Sequence, residues 1–253
     1  NSFKRVPAEK SMRILIISDI HANLTALEAV LARAGDVDGI WCLGDLVGYG
    51  PDPNECISRL HDRNNFSCIM GNHDAAAMEL IDTQSFNLEA RRAIEITQHA
   101  LSDASRAYLS SLPEKLTFGQ VTLSHGSPRH PVWEYLLDAH TALINFDYFK
   151  TDFCFVGHTH LPVQYSLYDG WDTVKLSVPR PEQVISLGPR AILNPGSVGQ
   201  PRDRDPRASY AIFDPEMNTW TNHRVVYDIS SVQERMETLG MPARHIQRLA
   251  AGW

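Results

Sequence analysis

The sequence predicts an α/β fold built from two packed β-sheets, and three observations carry this. In the first third, apolar runs of strand length alternate with segments of helical periodicity, the pattern of a parallel sheet. In the second half, strand-like runs follow one another with little helix between them, the pattern of a mixed or antiparallel sheet. With 253 residues, 43% of them hydrophobic, the chain can bury a large core as one globular domain.

The elements follow in order. RILIIS (13–18) is a continuous apolar run that stops at Asp19. Leu24, Leu27, Leu31 and Ala34 recur at helical spacing, and Gly35 follows as a C-cap. GIWCLG (39–44) is the second strand. Asp52-Pro53-Asn54-Glu55 reads as an N-cap, a proline at the first helical position and a capping-box acid, opening a helix that runs to about His61. FSCIM (66–70) is the third strand, and one long helical region is expected over 88–112. KLTFGQVTLSH (115–125) is a hairpin turning at Gly119. FCFVG, VQYSLY and DTVKLSV come next, with Asp169 and Gly170 as turn residues. VISLG, AILNP, SYAIFD and TWTNHRVVYD complete the strands, and 231–240 returns to helix.

Composition narrows the function classes. The net charge of -7 argues against generic binding to nucleic acid or an anionic membrane, which needs clustered Lys and Arg. No apolar stretch is long enough to span a bilayer. Cys42, Cys56, Cys68 and Cys154 form no close pair, so a zinc–thiolate site is not expected and a reducing, cytoplasmic setting is. The opening NSFKRVPAEKSM has no apolar leader segment. Residues 1–12 are expected to be a loose tail or tag, with a single domain over 13–253; a homo-oligomer is compatible with the composition.

The residues that end the strands carry the chemistry. In open α/β sheets ligands bind beyond the carboxyl ends of strands. Here those ends hold Asp19 and His21, Asp45, Asn72-His73-Asp74, His125, and His158 with His160. Taken singly, each is read most simply as a cap or a turn residue. As an ensemble they are not, because five of the eleven histidines stand at such ends beside glycines. On an extended chain residues two apart point the same way, so Asp19 with His21, and His158 with His160, are expected to converge as pairs. Imidazole, carboxylate and amide donors without thiolate suit Mn, Fe, Ni, Zn or Mg. His61, His99, His130, His140, His223 and His245 are read as surface or structural.

This constellation resembles the calcineurin-like metallophosphoesterases, in their small prokaryotic branch. Their pattern of D-x-H, G-D, G-N-H-[DE], a lone His and G-H-x-H is matched in order by Asp19-Ile20-His21, Gly44-Asp45, Gly71-Asn72-His73-Asp74, His125 and Gly157-His158-Thr159-His160. The resemblance implies a four-layer αββα fold, a two-sheet β-sandwich flanked by helices. It also implies two divalent metal ions, with Mn, Fe, Ni or Zn favoured. Asp19, His21 and His160 would hold the first, Asn72, His125 and His158 the second, and Asp45 would bridge them. His73 would assist the leaving oxygen, and Asp74 would orient His73. The implied activity is hydrolysis of a small phosphomonoester or phosphodiester by a metal-bridging hydroxide.

One block departs from the better-known relatives. Protein serine/threonine phosphatases and symmetrical dinucleoside tetraphosphatases carry G-D-x-V-x-R-G, with an arginine for substrate phosphate. Here the loop reads Gly44-Asp45-Leu46-Val47-Gly48-Tyr49-Gly50, and a phenol offers neither charge nor a bidentate fork. Tyr49 is therefore either a loop packing residue or a substrate contact. Arg129 and Arg202 are candidate anion-binding residues, whereas Arg204 and Arg207 read as loop charges paired with Asp203 and Asp205. The Asn194-Pro195-Gly196-Ser197 turn reads as structural, at a sheet edge. A protein phosphatase or dinucleoside polyphosphate phosphatase is the alternative enzyme. A protein-binding scaffold with an eroded site is the alternative from another class, and the intact ligand set weighs against it. A nuclease would want a basic groove, which the charge disfavours.

Overall fold

The computed structural model describes residues 11–253. The expected tail, residues 1–12, therefore lies outside the described residues up to position 10. Of the remainder, the Ser11 hydroxyl donates to the Asp214 carboxylate.

Two six-stranded sheets form the centre. In the first, β1 (Ile14–Ile17), β2 (Gly39–Cys42) and β3 (Phe66–Cys68) run parallel. Their crossovers are α1 (Leu24–Ala34) and α2 (Pro53–His61). β11 (Ala208–Asp214), β12 (Thr219–Val225) and β9 (Val184–Ser186) extend that sheet antiparallel, giving the order β3-β2-β1-β11-β12-β9. The second sheet comprises β4 (Lys115–Phe118), β5 (Val121–Ser124), β6 (Phe153–Phe155), β10 (Arg190–Asn194), β7 (Val163–Leu167) and β8 (Lys175–Ser177), in that order. It is mixed: β6 pairs parallel with both β5 and β10, and the outer pairs are antiparallel.

Strand alternation sorts the core into layers. Along β1, Ile14 and Ile16 point into the space between the sheets, where they meet Leu123, Phe155, Leu193, Phe213 and Trp220. Leu15 and Ile17 face the other way, onto α1 and α2. All four are buried because both faces are covered. The outer face of the second sheet packs Cys154, Tyr165 and Ile192 on α6 (Ala139–Asn145). The result is the expected αββα arrangement.

Several local expectations are corrected. Region 88–112 is two helices, α4 (Leu88–Ala100) and α5 (Asp103–Ser110), because Ser102 breaks the chain into extended backbone and caps α5 through Ser105 N–H. Asp52 does not cap α2 with its side chain. Its carboxylate instead accepts from Leu24 N–H and pairs with Arg235. Helices α3 (Asn72–Ala77), α6 and α8 (Ala243–Ala251) were not expected, whereas α7 (Ile229–Thr238) was. The Asn194 turn follows an interior strand, β10, and not a sheet edge. Asp203 pairs with Arg224 and not with Arg204, while Asp205 does pair with Arg207.

Candidate metal centre

The carboxyl ends of β1, β2 and β3 and those of β5 and β6 meet at one rim of the sandwich. β1 ends at Asp19 and His21, β2 at Asp45, and α3 begins after β3 with Asn72. From the second sheet come His125 after β5, and His158 with His160 after β6. All seven side chains are buried. The backbone of the loops is zipped as firmly as a sheet. Asp19 N–H donates to Gly44 O at 3.0 Å, His21 N–H to Asp45 O at 2.9 Å, and Gly157 N–H to His125 O at 2.8 Å.

The donor atoms form two clusters: Asp19, His21 and His160 in one, and Asp45, His125 and His158 in the other, each with its atoms within 4.8 Å of one another. Asn72 joins the second, its Oδ1 standing 3.0 Å from His125 Nε2. Asp45 Oδ2 lies between the clusters, 3.6 Å from His21 Nε2 and 3.4 Å from His125 Nε2. The expected pairing of His158 with His160 is overturned. Both residues have positive φ, +65° and +61°, so the chain is not extended there and the rings part into different clusters. Asp19 and His21 do share a cluster, but through left-handed backbone at both positions.

Hydrogen bonding fixes which nitrogen of each ring faces inward. Nδ1 of His21, His125 and His160 meets the carbonyl oxygens of Val47, Leu43 and Gln200 at 3.1, 2.7 and 2.5 Å. A carbonyl only accepts, so each Nδ1 carries a proton and Nε2 is the nitrogen that each ring turns inward. His21 Nε2 and His160 Nε2 then oppose each other at 3.1 Å. Asp19 Oδ1, Asp45 Oδ2 and His158 Nε2 are buried with no hydrogen-bond partner. Converging unpaired acceptors in a dry space are a costly arrangement unless cations share them. The donor set fits two divalent ions, and N/O donors fit the harder and borderline metals.

Proton affinities report the same crowding. Burial, reinforced by the Asp45 charge, lifts the Asp19 carboxyl to about 7. Burial holds His21, His158 and His160 well below the ordinary imidazole value. For Asp45 burial works the other way, yet the His125 and His73 imidazoles outweigh it and keep the carboxylate well below its usual range. Burial likewise opposes protonation of His125, but Asp45 raises it to about 10.

His73 stands beside the clusters, whereas Asp74 takes a different place from that expected. The His73 backbone N–H donates to Asp45 Oδ1 at 2.8 Å, and its ring packs on Tyr49 at 4.3 Å. Its Nδ1 is buried without a partner, and burial lowers its pKa to about 4. Asp74 does not orient that ring. Its carboxylate accepts from the N–H groups of Gly71, Asp45 and Val47 at 3.0, 2.8 and 3.2 Å, so it braces the loop that delivers Asp45.

Beside the centre lies a cavity of about 470 Å³ lined by His73, Tyr49, Trp133, Tyr135, Arg202 and Arg248 among others. Tyr49 is both a packing residue and a wall of this cavity: its ring contacts His21, His73 and His245. Arg202 lines the cavity. Arg129 does not, because Glu134 binds its guanidinium. Arg248, Trp133 and Tyr135 carry no strand-end signal in the sequence. Asn194, in the turn read as structural, braces the His158 loop, its Nδ2 donating to Gly157 O at 2.7 Å and Thr159 Oγ1 at 3.0 Å.

The sequence profile of the calcineurin-like phosphoesterase superfamily domain matches residues 12–218. The chain belongs to that superfamily. An uncharacterized protein of Methanocaldococcus jannaschii is 37% identical over 250 residues, covering 96% of this chain and 99% of its own. The crystal structure of a metallophosphoesterase from Sphaerobacter thermophilus matches at 48% identity with a TM-score of 0.89, covering 96% of this chain and 100% of that one. A symmetrical bis(5'-nucleosyl)-tetraphosphatase of Pseudomonas entomophila is 36% identical over 67 residues, 25% of this chain and 24% of that enzyme. This calcineurin-like protein is thus a metal-dependent phosphoesterase with two candidate metal sites. Among its described residues no helix is long and apolar enough to cross a membrane.

Proposed function

We propose that the protein hydrolyses a small phosphomonoester or phosphodiester at a dinuclear centre. One observation carries the reading: a buried, unpartnered carboxylate oxygen, Asp45 Oδ2, stands between two clusters of inward-facing donors. Asp19, His21 and His160 would hold one ion, Asn72, His125 and His158 the other, and Asp45 both; Mn, Fe, Ni or Zn suit these donors. When bound, such a pair supplies charge neutralisation for the phosphoester and a nucleophile from water near neutral pH.

The chain's own residues do the rest. Backbone bonds and Asp74 fix Asp45 in place. Tyr49 and Phe86 pack the His73 ring against the cavity, where it can donate a hydrogen bond to the leaving oxygen. Arg202, on the same wall, supplies a cation for substrate phosphate. A cytoplasmic setting accompanies the reading, supported by four free, buried cysteines.

Metal-reconstituted protein assayed on p-nitrophenyl phosphate and on its bis ester tests both the reaction and the ester preference. His73→Ala should retain both metals by mass spectrometry and lose about 10²–10⁴-fold in kcat. Turnover at the parent rate in that variant refutes the role given to His73, and full activity in metal-free protein refutes the mechanism.

A further inference from the structure

Two guanidinium groups face the cavity with no acid to balance them. Arg202 follows β10 in the loop to β11, and Arg248 projects from α8. The nearby acids are committed elsewhere: Asp203 to Arg224, Asp205 to Arg207 and Glu89 to Arg244. Among the described residues neither Arg202 nor Arg248 is ion-paired. Both donate instead to one neutral acceptor, Gln200 Oε1, from Arg202 Nη2 at 2.9 Å and from Arg248 Nη1 at 3.5 Å. The Nε of each is buried without a partner.

Two like charges that share one amide oxygen and keep donors in reserve lack an anion. Burial and then the charge of Arg202 push the Arg248 guanidinium below its ordinary pKa, as repulsion between them requires. Arg202 is tied to the metal-facing end of the cavity through Gln200, whose Oε1 it shares with Arg248 and whose backbone O accepts from His160 Nδ1 at 2.5 Å. The Tyr49 ring also borders both, 4.3 Å from that of His73 and 6.0 Å from the Arg202 guanidinium. The arginine pair therefore extends one wall of the same cavity, which at about 470 Å³ has room for more than one phosphoryl group.

We propose that Arg202 and Arg248 form a subsite for a second phosphoryl group, so that the preferred substrates carry two phosphoryl groups in tandem, as a nucleoside diphosphate does. This rests on the phosphoesterase reading for the group placed at the metals. Planar guanidinium forks suit phosphate oxygens, which explains two arginines here in place of lysines.

The test is calorimetric titration of the purified, metal-loaded protein with AMP and with α,β-methylene-ADP, whose P–C–P bridge cannot be hydrolysed. The adenosine is common to both ligands, so their difference reports the second phosphoryl group. Wild type should bind the analogue about 10- to 100-fold more tightly than AMP, the range for charge-assisted hydrogen bonds. Arg202→Gln and Arg248→Gln should each bring the two affinities to within about threefold of one another. Arg248→Lys keeps the charge and the stem, so it should retain part of the preference; losing it as fully as Gln would mark a structural role and overturn the proposal. Equal affinities in wild type, or a preference that survives in both Gln variants, overturn it as well. Binding preference without turnover of any phosphoester would leave the subsite standing and remove the reaction assigned above.

Discussion

At the residue scale, the centre is shaped by backbone that side chains ordinarily avoid. Asp19, His21, Asp45, His158 and His160 have φ between +47° and +65°, a region that costs a residue with a Cβ roughly 1–2 kcal/mol. The cost is met by the loop-to-loop hydrogen bonds that hold each one, and such strain concentrates at functional sites. Glycine completes the construction by close approach. Gly44 has φ +93° and a Cβ there would stand 2.6 Å from Gly71 N. Gly71 itself has an ordinary φ of -95°, so any residue could adopt its backbone. A Cβ on it, however, would lie 2.0 Å from Asp45 Oδ1 and 2.3 Å from Asp45 N. Gly71→Ala must therefore push the Asp45 carboxylate aside. It should lower stability by about 1–3 kcal/mol and reduce bound metal below two per chain. Parent-like metal content by mass spectrometry would show that Asp45 does not hold the position assigned to it.

At the scale of elements, the loop from His125 to Tyr135 is clamped by one acid. Glu134 accepts from Ser127 Oγ at 2.7 Å, Asn145 Nδ2 at 2.8 Å and the Arg129 guanidinium. Burial favours the protonated acid, but the bonds from Arg129, Ser127 and Asn145 prevail and lower its pKa to about 2. A carboxylate depressed on folding stabilises fully above its unfolded pKa, about 4.5, and loses that contribution as pH falls toward 2. Glu134→Gln should thus be less stable than wild type in thermal melts at pH 7, with the gap closing as pH falls from 4.5 toward 2. A gap independent of pH would assign the effect to packing. This clamp also explains why Arg129 was legible as a cation near a ligand yet takes no place in the cavity. The strands and the seven strand-end donor residues were readable because apolar runs of strand length end abruptly in polar residues. The break at Ser102 was not, since apolar spacing continues across it. Nor was the role of Asp74: adjacency to His73 suggests a partnership, but the first turn of α3 aims the carboxylate at backbone amides. Arg248 had no signal at all, because an arginine on a C-terminal helix looks like any solvated charge until the fold brings it to Gln200.

Across the whole molecule, the centre joins two sheets whose faces meet through apolar packing, with polar ties elsewhere such as Gln120 Nε2 to Pro215 O at 3.1 Å and Asn222 Nδ2 to Pro195 O at 3.0 Å. Asp19, His21, Asp45 and Asn72 come from the rim of the first sheet; His125, His158 and His160 come from the rim of the second. Direct polar ties across that rim exist, such as His158 N–H to Asp19 Oδ2 at 3.1 Å. They leave Asp19 Oδ1, Asp45 Oδ2 and His158 Nε2 unpartnered. Each cluster draws on both sheets, so a cation in either one ties the rims together and neutralises acceptors that burial penalises. Binding to the folded chain alone stabilises it by about 2.7 kcal/mol per site when free metal is a hundredfold above Kd. For a chain of this size that corresponds to a rise in Tm of roughly 5–10 °C per site. Chelation should therefore lower Tm by at least that much, and readdition of Mn or Zn should restore it. His73→Ala should show the same metal-dependent shift, because His73 belongs to neither cluster, whereas Asp45→Ala should lose most of it. An equal Tm with and without metal, measured while mass spectrometry confirms that the ions have left, would mean that the two rims are held by the protein alone.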